Sequence, residues 1–417
     1  RFGREDHPEG VAGWRQENAA AEPVPPFHRI DLSSLPASLF HEAFERAAAA
    51  LQGGFDLSTG PLTRLVLCEA RAGQPGLLLW ITHHLVVDGV SWRVLLEDLE
   101  GAYRQAAHGL RPTLPPKTTS FQEWARRLAR HAGSAALAGE LDHWLMAART
   151  PVPRLPVDFP GRENTVTHEA SVSFELTAEE TADLLQTVPS VYHSRIDEAL
   201  LSALVRALAG WTGSPRLRVD LEGHGRDPVS DDVDEGHVDD LDTSRTVGWF
   251  TAVYPVVLEA GDADPGSALV SAKERLRAVP GNGIGYGLLL GAAPVAEISF
   301  NYLGQLDAAS GGLSLFRAST ASAGPTRSPR AHRTHLLEIG GLVAGGQLRV
   351  TLTYGSRVHR RETAERLAAA YAGALRELIE HCRSSEGEVF TPSDFPKAEL
   401  DAHTFGQVAA LLDEFDS

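Results

Sequence analysis

His83-His84-Leu85-Val86-Val87-Asp88-Gly89-Val90-Ser91-Trp92 is the stretch on which the reading of this chain turns. The apolar run just before it, Leu77-Leu78-Leu79-Trp80-Ile81-Thr82, has the length and composition of a buried strand. Residues 97–108 beyond it read as a helix. A strand that ends in two imidazoles, turns at Asp-Gly and re-enters a helix presents a proton-transfer group at a strand end, and histidine titrates near neutral pH. Adjacent residues of a strand point to opposite faces, so at most one of the two rings faces a given cavity. The same alternation argues against a metal site made of His83, His84 and Asp88, whose ligands would have to converge from both faces.

Working outward, the 417 residues are enough for a large core and favour two or three domains. The formal net charge of −17 argues against nonspecific binding to nucleic acid or to an anionic membrane. No apolar stretch approaches the span of a bilayer, and no signal-peptide pattern opens the chain. The only two cysteines, Cys68 and Cys382, are far apart, which excludes a disulfide framework and a thiolate cluster. A cytoplasmic location is the simplest expectation. The chain opens Arg1-Phe2-Gly3 without methionine and runs straight into folded-looking sequence, as a fragment of something longer would.

The first part reads as α+β, with helices over 39–51 and 120–131 and strands over 63–68 and 77–82. Pro151, Pro153, Pro156, Pro160 and Gly161 then break the periodicity, which predicts a lobe from 1 to 160 and another from 161 to 417. The second part alternates again: strand 170–176, helix 195–211 with a core-facing stripe of leucines, strand 216–221, helix 265–279, strands 296–302 and 347–354, and a long helix 362–381. The acid-rich residues 227–242 read as a solvated loop, since no EF-hand spacing is present.

Val219-Asp220-Leu221 leads into Glu222-Gly223-His224-Gly225-Arg226, a second strand that ends at a proton-transfer group, followed by glycines that permit a sharp turn. Arg245-Thr246-Val247-Gly248-Trp249-Phe250, continuing to Pro255, reads as core packing or as a loop buried between lobes. Pro280-Gly281-Asn282-Gly283-Ile284-Gly285-Tyr286-Gly287 resembles a phosphate cradle at first sight, but it fits neither G-x-G-x-x-G nor a Walker loop. Phe300-Asn301-Tyr302-Leu303-Gly304 closes a strand and brings Asn301 or Tyr302 to a cavity wall. There is no G-x-S-x-G nucleophile elbow.

In this order, the five motifs from Trp80 to Gly304 resemble those of the epimerization domain of nonribosomal peptide synthetases, a group within the condensation-domain superfamily. The His-His-x-x-x-Asp-Gly run is shared by the whole superfamily; Glu222 to Arg226, Arg245 to Phe250, the Gly-Tyr-Gly stretch and Phe300 to Gly304 resemble the epimerization type specifically. The tail Thr391-Pro392-Ser393-Asp394-Phe395-Pro396 is similar to that family's C-terminal end. The resemblance implies an α/β (α+β) fold of two chloramphenicol-acetyltransferase-like lobes in a V-shaped pseudo-dimer, with His84 at the floor of a central tunnel. The family's opening helix and Gln-Trp-Phe-type motif have no counterpart here, so the first lobe is expected to lack its start.

The activity the resemblance implies is inversion, L to D and reversibly, at the α-carbon of an aminoacyl or peptidyl thioester. The thioester hangs from the 4′-phosphopantetheine of a peptidyl carrier domain, expected upstream in the same polypeptide, with a condensation domain downstream. A thioester acidifies the α-proton, so no cofactor of its own is expected. Glu222 is implied as a general acid/base, and His84 as its partner, either the second acid/base or the donor to the enolate oxygen. Tyr302 and Asn301 follow, for proton delivery and orientation. Asp88 is expected to brace its loop, for instance against Arg226, while His83 packs or hydrogen-bonds behind the site and Trp92 supports the run. The rivals are a condensation domain that forms an amide between two carrier-bound groups, and a noncatalytic platform that only docks carriers.

Overall fold

The two apolar runs before the double histidine pair with each other, and the first half of the fold is laid on that pairing. The computed structural model describes residues 1–6, 12–20, 26–229, 241–261, 264–291, 296–305, 315–317, 319, 321–385, 387–398, 404–405 and 407. Strands β1 (Phe2–Asp6) and β2 (Ala12–Gln16) form an antiparallel pair. Strand β3 (Phe27–Asp31) runs parallel to β4 (Thr63–Glu69), which is antiparallel to β5 (Leu77–Thr82). Every second residue of β4 is inward, and Val66 and Cys68 are buried there in one cluster with Phe44 of the helix Ala37–Gln52.

The second sheet has six strands in the order β6-β11-β10-β9-β7-β8. These are β6 (Glu169–Glu175), β7 (Arg216–Gly223), β8 (Ala252–Glu259), β9 (Ile298–Gln305), β10 (Leu337–Ala344) and β11 (Gln347–Gly355). Strand β9 is parallel to both β7 and β10, and the remaining pairs are antiparallel, so the sheet is mixed. Pro255, which has no N–H to give a ladder, sits on the edge strand β8. Helices Ile196–Thr212, Pro265–Arg277 and Arg361–Arg383 supply Leu200, Leu204, Leu208, Leu269, Tyr371 and Leu375 to one continuous core with the sheet. The Tyr371 hydroxyl, fully buried, donates to the Leu200 carbonyl at 2.9 Å, so its polar end is satisfied.

By contact, the described residues fall into two compact units whose limits differ from the expected break at 160. One comprises Arg1–Phe121, Asp242–Phe250 and Gly312–Ala331; the other comprises Gln122–Leu241, Thr251–Gly311 and His332–Ser417. The proline-rich stretch is irregular, but it is packed onto the second unit: Leu155 is in the second unit's core and its amide donates to Glu297 at 2.7 Å. Trp144, just before it, is wholly buried and meets the rings of Tyr254 and Tyr286 edge-on. Proline density marks where periodic structure stops, which need not be where contacts stop. Residues 230–240, most of the acid-rich stretch, lie outside the described residues. No helix among the described residues is long and apolar enough to cross a membrane.

His359 is buried just before the Arg361–Arg383 helix, edge-on to Trp211, and among the described residues no hydrogen-bond partner meets either ring nitrogen. Burial pushes its pKa below the ordinary imidazole value, with Asp158 pulling the other way and Arg333 adding to the depression. The folded protein therefore holds the ring neutral, while the unfolded chain takes up a proton near pH 6.5. Stability is thus full above that value and is lost as pH falls below it. We expect the thermal midpoint to drop between pH 7 and pH 5, with a smaller drop in His359→Phe; equal slopes in the two proteins would exclude His359 as the cause.

Candidate functional site

Strand β5 stops at Thr82, so the two histidines are not on a strand, and their separation does not come from strand alternation. His83 is instead the N-cap of a 3-10 turn, His84–Val86, and its Nδ1 accepts the Leu85 amide at 3.2 Å. That bond makes Nδ1 the unprotonated nitrogen of the neutral ring. The His83 ring lies edge-on to Phe55, and burial, then the neighbouring His84, holds its pKa below the ordinary imidazole value. His84, the next residue, is exposed and its ring rests 5.5 Å from Trp249.

The helix after the turn begins at Gly89, eight residues before the periodicity showed it, because Asp88 caps it. The buried Asp88 carboxylate accepts the Ser91 amide at 2.7 Å through Oδ1 and the Phe250 amide at 3.2 Å through Oδ2. Ser91, fully buried, donates its hydroxyl to the Gly248 carbonyl at 3.0 Å and accepts the Gly248 amide at 3.1 Å. A β-carbon on Gly248 would stand 2.3 Å from the Phe121 ring, which itself packs edge-on against Phe250. Arg245 reaches Glu97 and Asp98 on the Gly89–Ala107 helix. The stretch from Arg245 to Phe250, expected in the second lobe, is therefore part of the first unit, and its work is to hold the histidine turn. Trp92 packs edge-on against Trp80, whose indole N–H donates to Thr63 at 2.9 Å. Within its unit Asp88 is held by backbone amides; Arg226 belongs to the other unit, where its amide donates to His224 Nδ1 at 3.1 Å.

The second group of residues is assembled at the end of β7. Leu221 faces Phe300 in the parallel register of β7 and β9, and both are buried in the core. Glu222 and Asn301, one residue further along each strand, are on the opposite side of the pleat and meet there: the Asn301 Nδ2 donates to Glu222 Oε2 at 2.7 Å. A cavity of about 370 Å³ caps this strand end and reaches both sides of it, so Tyr302, on the inward side, lines it with Glu222 and Asn301. Arg195 and Asp197 from the start of the Ile196–Thr212 helix, together with Leu276, Tyr254, His224 and Asn282, complete most of the wall. Burial raises the Tyr302 phenol above its ordinary pKa and the Asp197 carboxylate adds to that, so it is protonated at neutral pH.

The glycine-rich stretch contributes a wall of this cavity. A β-carbon on Gly223 would stand 2.6 Å from the Asn282 carbonyl oxygen, and one on Gly283, at φ 89°, would stand 1.8 Å from the Tyr254 ring. Glycine at both places lets the 280–283 turn close on β7 and β8. Arg195, Asp197 and Asn282 carry no sequence signal of a site: Asn282 lies between two glycines, and Arg195 and Asp197 open a helix whose visible pattern is its apolar stripe. Among the described residues no group of three or more His, Cys, Asp or Glu side chains is arranged to hold a metal ion.

The family described as Condensation domain matches residues 10–401. A linear gramicidin synthase of Brevibacillus parabrevis is 41% identical over 403 residues, which cover 94% of this chain and 8% of that protein. A surfactin synthase of Bacillus subtilis (strain 168) is 37% identical over 389 residues, covering 90% of this chain and 10% of its own length. This chain thus spans about a tenth or less of those relatives. The crystal structure of the epimerization domain from the third module of tyrocidine synthetase B superposes with a TM-score of 0.79 at 34% identity, covering 92% of this chain and 85% of that one. The X-domain from teicoplanin biosynthesis, at 18% identity and a TM-score of 0.63 over 92% of this chain and 84% of its own, shares the fold.

The brace around the histidine turn makes a prediction of its own. Asp88→Ala removes the acceptor of two buried amides, each costing about 1–3 kcal/mol when left unmade. The first unit is expected to unfold at clearly lower denaturant than wild type, and Gly248→Ala to do the same through the Phe121 clash. Unfolding followed by the fluorescence of Trp80 and Trp92 checks both, and wild-type midpoints would show that the brace carries no load.

Proposed function

This chain belongs to the condensation-domain family, and from that premise we propose that it inverts the α-carbon of an aminoacyl or peptidyl thioester carried on the 4′-phosphopantetheine of a peptidyl carrier domain. The observation that carries the reading is the Glu222–Asn301 pair at the mouth of the 370 Å³ cavity with Tyr302 beside it. Inversion through an enolate needs a base for the α-proton, a donor to the developing oxyanion and a proton for the opposite face. Glu222 is assigned the first task. Asn301 occupies one lone pair of its carboxylate and sets the plane in which the carboxylate is held. Tyr302, protonated at neutral pH by its burial, supplies a hydroxyl proton within the same cavity. His84 is assigned the remaining role, second acid/base or oxyanion donor, on the strength of its run and its exposed ring. The 34%-identical epimerization-domain structure supports inversion over amide formation.

The test is direct. The protein is given an L-aminoacyl or peptidyl thioester on a carrier domain in D₂O, and the released acid is analysed for chirality and deuterium. We expect racemisation with α-deuterium uptake. Glu222→Gln and His84→Ala should each lower the rate by about 10²–10⁴-fold. Asn301→Ala, which lets the carboxylate rotate, should cost about tenfold in kcat and leave KM near wild type. Amide formation with a second loaded carrier, without α-exchange, would identify a condensation catalyst; no change under either regime would leave a docking platform.

A further inference from the structure

The cavity at Glu222 is tied to a segment that no step of the proposed reaction uses. Asp394, in the 3-10 turn Pro392–Asp394, accepts Lys273 Nζ at 2.6 Å through Oδ2 and Arg277 at 2.8 Å through Oδ1. Lys273 is fully buried, and its ammonium also donates to the Tyr192 carbonyl at 2.7 Å. Arg277 continues the line: one nitrogen donates to the His193 carbonyl at 2.6 Å and Nε to Glu198 Oε1 at 3.0 Å. Glu198, also fully buried, accepts the Arg195 amide at 2.7 Å and lies 3.1 Å from the Arg195 guanidinium. Arg195 and Asp197 flank this hub in the cavity wall, and Leu276 precedes Arg277 there.

We infer that Asp394 is a positioning residue for the Glu222 cavity, acting through Lys273, Arg277 and Glu198 on the first turn of the Ile196–Thr212 helix. The physical ground is the burial of the network. Glu198 and Lys273 are dry charges and each is tolerable only while its partners are in place. Burial pushes the Asp394 carboxyl up, but the Lys273 ammonium, the Thr391 amide and Arg277 outweigh it and hold it below the usual carboxylate range. It is therefore an anion at neutral pH, and the fork of Arg277 is committed to it and to Glu198 at once. Without that anion, among the described residues of the tail the Ser393 hydroxyl, at 3.3 Å, is what still meets Arg277, and the turn that presents Arg195 and Asp197 can shift. Small displacements of groups that line a reacting site are costly for catalysis. The catalytic half of the inference rests on the inversion reading above; the mechanical half does not.

Asp394→Asn in the full chain tests both halves. Backbone hydrogen exchange is expected to speed up over residues 193–201 and to stay at wild-type rates over β4 and β5. In the D₂O assay kcat is expected to fall about 10- to 100-fold with KM changed less than about twofold. Asp394→Glu should restore most of kcat, and Arg277→Lys, which keeps the charge but loses the fork, should reproduce the defect. Unchanged exchange over 193–201 would overturn the mechanical claim. Faster exchange with a wild-type kcat, in protein that melts normally, would overturn the positioning role. A wild-type chain that exchanges no α-proton would instead remove the inversion reading and the catalytic claim with it, and the backbone exchange data would still decide whether Asp394 holds the 193–201 turn.

Discussion

A single carboxylate joins parts of the chain 162 positions apart: Asp88 caps the Gly89–Ala107 helix with one oxygen and receives the Phe250 amide with the other. Both amides give their hydrogen bonds to Asp88 in a buried place, so one side chain fixes where the helix starts and where a distant loop must lie. The neighbouring identities follow from this closure. Ser91 is small enough to sit between the two segments and exchanges two hydrogen bonds with Gly248. Gly248 has no β-carbon because Phe121 occupies the space, and Trp249 then comes to rest on His84. The imidazole that the sequence singled out is oriented by residues that look, in isolation, like ordinary core.

The second unit shows how two carboxylates on one strand face acquire different characters. Asp220 and Glu222 are two residues apart on β7 and so share a side of the sheet. Asp220 is buried and consumed, accepting His335 Nε2 at 2.8 Å and the Ala296 amide at 3.0 Å. Glu222 lies where β7 runs out into glycine, beside Asn301 and open to a cavity. The parallel register of β7 and β9 is responsible, since pairing Leu221 with Phe300 obliges the next residues to meet. The same strands that bury Leu221 and Phe300 deliver the polar pair.

Much of this was legible from the chain alone. Strand β5 follows the apolar run 77–82, and the helices at 196–212 and 361–383 follow their stripes within two residues, because one-sided burial writes a period into the sequence. Strand β3 was not legible, as it is mostly exposed and carries Phe27 and Ile30 among polar residues. Strand β10 was hidden by Gly340 and Gly341, and β8 by the aromatic loop that runs into it. The helix start at Gly89 was missed because a cap is a contact of one side chain with one amide and leaves no periodic trace. The limits of the contact units left no periodic trace for a related reason: proline breaks periodicity, while membership of a core is decided by what Leu155 and Trp144 touch.

The order of motifs along the chain, the type of each reactive group and the family were determined by the sequence itself, since they are properties of residues and their spacing. Which residues meet was decided only in three dimensions. Asn301 on Glu222, Trp249 on His84, Asp88 on Phe250 and Asp394 on Arg277 each join positions far apart along the chain. No local pattern encodes such pairs, because the strand register, the buried hydrogen bonds and the exclusion of a β-carbon that create them exist only once the whole sheet and its helices are packed.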